Sequence, residues 1–203
     1  MMNRRGYLKV GGILFAALTL VLFGGSGHAA DLQPTTVLVT FHSGTGNTEK
    51  MAQGVADGAK GVSGTTVVLK RVGDVAAGDL LSSDAVIVGS PVYFGNMSGE
   101  VKTFFDNWAK FGLFQDRKMR NKVGAAFATG ASVSNGKEVT MLTIMAAMLI
   151  NQIVVVSGGG GFGASATTGP DSPGIDEKEV AEARELGRRV AEFTAVVKRG
   201  SIK

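Results

Sequence analysis

From residue 35 onward, short continuous apolar runs alternate with longer stretches in which apolar residues recur every three or four positions. TTVLVTF (35–41) is β-branched and predicts a first strand. The following segment, 47–60, places Met51, Ala52, Val55, Ala56 and Ala59 at helical spacing. TTVVLKRV (65–72) and DAVIVGS (84–90) predict a second and a third strand, the latter with the unbroken apolar run of a strand covered on both faces. A helix over 99–110 buries Val101, Phe104, Phe105 and Trp108, and KVGAAFAT (122–129) is a fourth strand. The segment 137–151 is apolar nearly all round and predicts a fully buried helix. IVVVS (153–157) is a fifth strand. A last helix over 176–199 opens with an Asp176/Glu179 capping box and buries Val180, Ala183, Gly187, Val190, Phe193 and Val197. Such alternation implies an α/β fold: a doubly wound five-stranded parallel sheet, order 2-1-3-4-5, with helices on both faces. Ligands of such sheets sit beyond the carboxyl ends of the strands, where the order reverses.

The first residues do not join this pattern. Arg4, Arg5 and Lys9 precede an apolar stretch from Gly11 to Gly25, and Gly27, His28, Ala29 and Ala30 supply small residues for cleavage. Residues 1–29 are therefore read as a signal peptide and 30–203 as one domain. The paired arginines, followed by Gly6, Tyr7, Leu8 and Lys9, resemble a twin-arginine export signal, which implies a periplasmic location. Retention as a membrane anchor is the other fate, because about 20 apolar residues suffice for a span. Removing Arg4, Arg5 and Lys9 takes the 21 basic residues to 18, against 17 acidic ones. The mature chain is nearly neutral, and its charge gives no reason to expect a nucleic-acid partner. The absence of cysteine excludes a thiol nucleophile, and two histidines, His28 and His42, cannot build a multi-histidine metal site, so no metal is expected.

Candidate chemistry begins at HSGTGNT (42–48), between the first strand and the first helix. Amides at a helix start and the helix dipole favour an anion. Ser43, Gly44, Thr45, Gly46, Asn47 and Thr48 offer amides and hydroxyls without a steric penalty at the glycines. The loop lacks the Gly-Lys-Ser/Thr of a Walker A motif, and Glu49 stands where a dinucleotide fingerprint needs its third glycine. It has no arginine clamp. It suits one terminal phosphate monoester such as that of FMN, although an ordinary Gly-rich turn with a capped helix reads the same residues.

Two further loops leave the same sheet edge. In SPVYFGNM (90–97), Tyr93 and Phe94 can wall a flat ring, with Pro91, Val92, Gly95 and Asn96 beside them. In TGASVSNG (129–136), Thr129, Gly130, Ala131, Asn135 and Gly136 can meet its polar edge. Tyr93 and Phe94 could equally be core; Trp108 and Phe111 suit core better than a ring roof. The run 158–163 reads either as a lid or as a loop, and His42 either aids the anion or has no role.

The phosphate loop, SPVYFGNMSG and ATG together resemble the flavodoxin superfamily, and most of all FMN-dependent NAD(P)H:quinone oxidoreductases of the tryptophan-repressor-binding-protein (WrbA) type. The similarity runs from about Val37 to Phe193, with PVYFGNMSGEVKTFFD its most specific part. The resemblance implies FMN phosphate on residues 43–48 and ring contacts from Val92, Tyr93, Phe94 and Thr129 onward. It also places Asn151 where the family carries a histidine near the flavin. The expected function is two-electron reduction of quinones or similar acceptors, with NAD(P)H or another redox protein as donor and the flavin as the reacting group. Tyr93 is the one candidate proton donor. An exported one-electron carrier is the alternative, and a flavin-binding or adhesion module without turnover the third class. A homodimer is an open assembly.

Overall fold

Seven consecutive β-branched or apolar residues, all but Thr36 buried, make β1 (Thr35–Phe41) a strand covered on both faces. In the computed structural model, which describes residues 33–158, 161–169 and 174–200, β1 is flanked in parallel by β2 (Thr65–Arg71) and β3 (Ala85–Tyr93). The chain then folds back as β4 (Asn96–Met97), antiparallel to β3. β5 (Val123–Gly130), buried at every position, lies parallel on the far side of β3, with Ala85 opposite Val123. Beyond it come β6 (Val154–Val155) and β7 (Ala164–Thr167), both parallel to β5. The path β2-β1-β3-β5-β6 is the expected doubly wound order. The predicted signal peptide, 1–29, falls outside the described residues.

Helices α1 (Asn47–Lys60) and α5 (Glu177–Gly200) cover one face, where Met51, Val55, Leu186 and Val190 meet Val37, Ile87 and Phe127. The other face carries α2 (Ala77–Ser82), α3 (Gly99–Lys110) and α4 (Lys137–Ile150), whose Leu80, Phe104, Trp108 and Ile144 meet Leu38, Val86 and Val88. Two glycines let α1 and α5 approach backbone to backbone. A Cβ on Gly58 would strike the Arg184 carbonyl, and one on Gly187 the Val55 carbonyl. The expected capping box forms: Glu179 N–H donates to Asp176 Oδ1 at 2.8 Å, and Asp176 N–H to Glu179 Oε2 at 3.0 Å. At the sheet edge away from the phosphate loop, Asp84 accepts from Thr36 N–H and from Lys198 Nζ, each at 2.8 Å.

Four expectations need correction. The fifth strand is not continuous over 153–157: only Val154 and Val155 pair, and pairing with β5 resumes at Ala164. Just before this second piece Gly163 packs tightly, since a Cβ there would strike the Ala126 carbonyl, whereas Gly161 and Phe162 are exposed. The segment 90–97 is a hairpin rather than a loop, because β3 continues to Tyr93. Helix α2 was not foreseen. Finally, α4 is buried on one face only; Val139, Leu142, Leu149 and Ile150 are exposed.

Candidate functional site

β1 ends at Phe41, and His42 N–H still donates to Gly89 O at 3.1 Å. The chain then turns into α1 through Gly46, whose φ of 87° lies in the left-handed region that glycine enters freely. No side chain caps α1. Among the described residues, the N–H groups of Gly44, Thr45, Asn47 and Thr48 meet no acceptor, so the helix start presents an open cradle of donors. Ser43 Oγ accepts from Gly46 N–H at 3.1 Å and Thr45 Oγ1 from Asn47 Nδ2 at 3.1 Å, and each hydroxyl keeps its own proton to donate. Four free amides with two or three hydroxyls match a dianionic phosphate monoester.

Arg71, at the end of β2, braces this loop from outside. Its guanidinium donates to Ser43 O at 2.9 Å and to Glu49 at 2.5 Å, and lies 5.4 Å from the Phe41 ring centroid. The loop itself lacks an arginine, as expected, but a neighbouring strand supplies one as a support. Inside, Thr48 Oγ1 and Thr129 Oγ1 are 2.7 Å apart and buried, which ties the phosphate loop to the end of β5.

The β3–β4 hairpin stands beside the cradle. Tyr93 pairs with Asn96, and the two residues between them, Phe94 and Gly95, have φ of 50° and 79°. Positive φ at both central positions is the type I′ geometry that favours Asn-Gly or Gly-Gly. Phenylalanine in the left-handed region is an outlier, and Phe94 is also fully exposed. The hairpin is held in place elsewhere: Asn96 Oδ1 accepts from Thr143 Oγ1 at 2.7 Å, and a Cβ on Gly136 would lie 2.9 Å from Gly95 Cα. Tyr93 is half-exposed, with Oη closed over the phosphate loop so tightly that a Cβ on Gly44 would lie 2.8 Å from it. His42 meets the Tyr93 ring edge-on at 6.0 Å and turns Nε2 to Glu100, 3.7 Å away. The Glu100 carboxyl is held below the usual range by its own backbone N–H, with His42 and the Ser98 hydroxyl adding to the effect. His42 thus faces the start of α3 through this pair.

The third loop is self-supporting. In the orientation that satisfies its amide, Asn135 accepts from Ala131 N–H at 2.9 Å and donates to Ser132 O at 3.2 Å. Gly130 O accepts from Thr168 N–H at 2.7 Å. At the first position of α4, Lys137 is buried and donates to Ser132 O at 3.0 Å, Val133 O at 3.4 Å and Thr167 Oγ1 at 2.6 Å. Sequence reading passed over Lys137; the signal was a cation at a helix start, where the dipole disfavours it.

The structure therefore brings Ser43 to Thr48, Pro91 to Asn96, Thr129 to Ala131, Asn135 and Gly136 to one edge of the sheet. Within that set, Asn96 and Asn135 are organisers, since their side chains are spent on Thr143 and on the loop itself. Asn151 is a correction. It follows the last turn of α4, its amide donates to Ala147 O at 2.8 Å, and the next residue's carbonyl, Gln152 O, accepts from Asn121 N–H, two residues before β5. A helix antiparallel to its strands carries its carboxyl end away from their carboxyl ends, so Asn151 sits at the opposite sheet edge from the phosphate loop. Trp108 is core, packed on Phe104 and Phe105, whereas Phe111 rims a groove of about 680 Å³ shared with His42, Arg71 and Glu100. A second groove, about 760 Å³ between α3 and α4, contains Asn96 and Asn151 at its rim.

Residues 36–167 match the family model described as NADPH-dependent FMN reductase, and the chain belongs to that family. It is 32% identical over 190 residues to an NAD(P)H dehydrogenase (quinone) of Archaeoglobus fulgidus, covering 77% of this chain and 95% of that protein. An NAD(P)H dehydrogenase (quinone) of Chromohalobacter salexigens is 31% identical over 196 residues, covering 78% of this chain and 96% of that protein. Among solved structures, a WrbA-like flavodoxin from Agrobacterium tumefaciens aligns with a TM-score of 0.68 and 28% identity, over 79% of this chain and 97% of that one.

Proposed function

We propose that this chain is an FMN-dependent oxidoreductase that carries two electrons from NAD(P)H to a quinone or a similar acceptor. The observation that carries the reading is the uncapped start of α1, with free amides at Gly44, Thr45, Asn47 and Thr48, set beside the exposed aromatics Tyr93 and Phe94. The cradle fits a phosphate monoester and the aromatics fit a flat ring, so the residues present suit FMN. FMN when bound would supply the redox chemistry, taking up a hydride and passing the electron pair on.

The chain's own part is position and electrostatics. Residues 43–48 bind the phosphate, and Thr48–Thr129 holds the loop at a fixed height against the sheet. The hairpin supplies one aromatic wall. Residues 129–136 contain neither an aromatic side chain nor a carboxylate, which leaves the opposite side open for a flat acceptor to stack at reacting distance. Tyr93 Oη lies against Gly44, so its hydroxyl faces the phosphate end of the site while its ring forms part of the wall. A one-electron carrier would instead gain from shielding on both sides.

Residues 1–29 support the further reading that the protein is exported by a twin-arginine route, which carries folded chains and so suits one loaded with a cofactor beforehand. The test of function is direct. Chromophore released from the purified protein is identified by mass, and the anaerobic holoprotein is mixed with NADH, NADPH and a soluble quinone. The expected result is FMN, one per chain, and flavin-dependent quinone reduction by a nicotinamide. Recovery of FAD, no uptake of FMN, or a stable half-reduced flavin with no quinone turnover would each reject the proposal.

A further inference from the structure

Lys137 occupies an unusual position for a lysine. It is 4% exposed, and its three acceptors, Ser132 O, Val133 O and Thr167 Oγ1, are all neutral. Among the described residues no carboxylate lies within ion-pair distance. Glu179, the carboxylate that touches Thr167, spends its oxygens on Thr167 N–H at 2.8 Å and Asp176 N–H at 3.0 Å. Glu138, the next residue, is exposed. The ammonium also sits at the positive end of the α4 dipole, which cannot compensate it. An ammonium taken out of water without an anion is costly, and an apolar or amide side chain could pin the same loop at lower cost. Two positive sources thus converge behind the loop 131–136, and among the described residues no carboxylate is in direct contact with the ammonium.

We infer that Lys137 is a positioning residue for charge: it raises the electron affinity of the flavin by stabilising the anion that two-electron reduction creates. This rests on the proposed reading of 129–136 as the loop that meets the polar edge of FMN. In the balanced step, NAD(P)H gives up a hydride, becoming NAD(P)⁺, and the oxidised flavin gains two electrons and one proton, leaving a monoanion. The second proton stays in solvent until the acceptor needs it. The buried ammonium and the α4 amides then face the charge they lacked. The same field favours any nucleophile that adds to the oxidised ring and leaves negative charge at its pyrimidine end, and sulfite is such a probe.

The experiment measures the flavin midpoint potential and the sulfite dissociation constant in wild type, Lys137→Met, Lys137→Gln and Lys137→Arg, after FMN content has been matched. Met and Gln should shift the oxidised-to-reduced equilibrium at least tenfold toward the oxidised form, about 30 mV for a two-electron couple, and weaken sulfite binding by a similar factor. Arg should stay within threefold of wild type on both. A purely structural lysine would change FMN retention or loop order and leave the potential of the retained flavin in place. Potentials of Met and Gln variants within threefold of wild type, or an equal loss in the Arg variant, would overturn the inference. Should the neutral variants fail to fold, wild type alone decides. One proton per electron pair means a tenfold change in the equilibrium per pH unit, about 30 mV, between pH 6 and 8, whereas a slope of about 60 mV reports a neutral product and overturns it. Wild type that takes up no FMN at all rejects the functional reading itself, and the inference with it.

Discussion

Thr48→Val and Thr129→Val should each destabilise the protein, while the two together should not. The hydroxyls are 2.7 Å apart and 2% and 3% exposed, so water cannot replace a lost partner. Removing one leaves the other buried and unpaired, which costs about 1–3 kcal/mol, whereas replacing both with groups of the same shape is close to neutral. At about 2 kcal/mol, and with about 2–4 °C per kcal/mol for a domain of this size, each single variant should melt about 4–8 °C below wild type. The double variant should recover to within about 1 kcal/mol, giving a coupling energy of about 3 kcal/mol, at the upper end of the range for contacting residues. The apoprotein is the right material, with melting followed by circular dichroism. FMN titration then separates stability from binding. Thr48→Val and the double variant should bind FMN about tenfold or more weakly, because a charge-assisted hydrogen bond contributes roughly 1.5–3 kcal/mol, while Thr129→Val should retain more affinity than either. Additive losses in the double variant would refute the pairing. Unchanged FMN affinity in Thr48→Val would refute its part in the phosphate cradle.

Phe94→Gly should stabilise the apoprotein by about 0.5–1 kcal/mol, since glycine relieves the left-handed φ, yet weaken FMN binding; denaturant midpoints and flavin titration measure both, and equal affinity would make Phe94 irrelevant to the ring. Gly58→Ala gains roughly 1 kcal/mol in helix propensity but drives a methyl into the Arg184 carbonyl, which no rotamer change can relieve. Overpacking should win, with a net loss of about 1–2 kcal/mol in urea unfolding, and a variant as stable as wild type would contradict the packing. The Asp79 carboxyl is held below its usual range first by Lys70 Nζ at 2.8 Å and then by Ala76 N–H. A depressed carboxylate contributes stability that is complete above its unfolded value of about 3.9 and is lost as pH falls through the lower folded value. Asp79→Asn should therefore be less stable than wild type at pH 7 and lose less on acidification to pH 3, as read from urea midpoints; parallel pH profiles would show the pair to be inert.

Most of the fold was legible because each parallel strand announces itself as an unbroken apolar run, as β5 does by being buried at every position. The phosphate loop and capping box were legible because their chemistry is local: donors and acceptors lie within three residues of each other. What failed was nonlocal. Periodicity cannot tell a buried apolar helix from one with a bare apolar face, hence α4. Propensity in 153–157 favoured a strand, but pairing depends on what the edge of β5 offers, and only two residues found it. Asn151 was placed by resemblance alone, and the polarity of α4 puts it at the wrong end. Arg71 reaches Ser43 across 28 positions, and Lys137 looks like any other surface lysine until burial is known.

The broken fifth strand has a consequence for how copies of this chain can meet. A sheet's outermost strand normally exposes a row of unpaired amides and carbonyls on which a foreign strand can template itself, the route to swapped dimers and fibrils. Here that border is cut into a piece of two residues, Val154–Val155, and a piece of four, Ala164–Thr167. Each piece offers a foreign strand at most four residues of continuous edge, below the usual strand length of about five or six. The opposite border, β2, ends in Lys70 and Arg71, whose charges are engaged by Asp79 and Glu49 and would have to be stripped to admit a partner. Backbone pairing between copies is thus least favoured along the broken border, and a contact between copies can instead be written in side chains, such as the exposed apolar row Val139, Leu142, Leu149 and Ile150, where single substitutions can tune or abolish it.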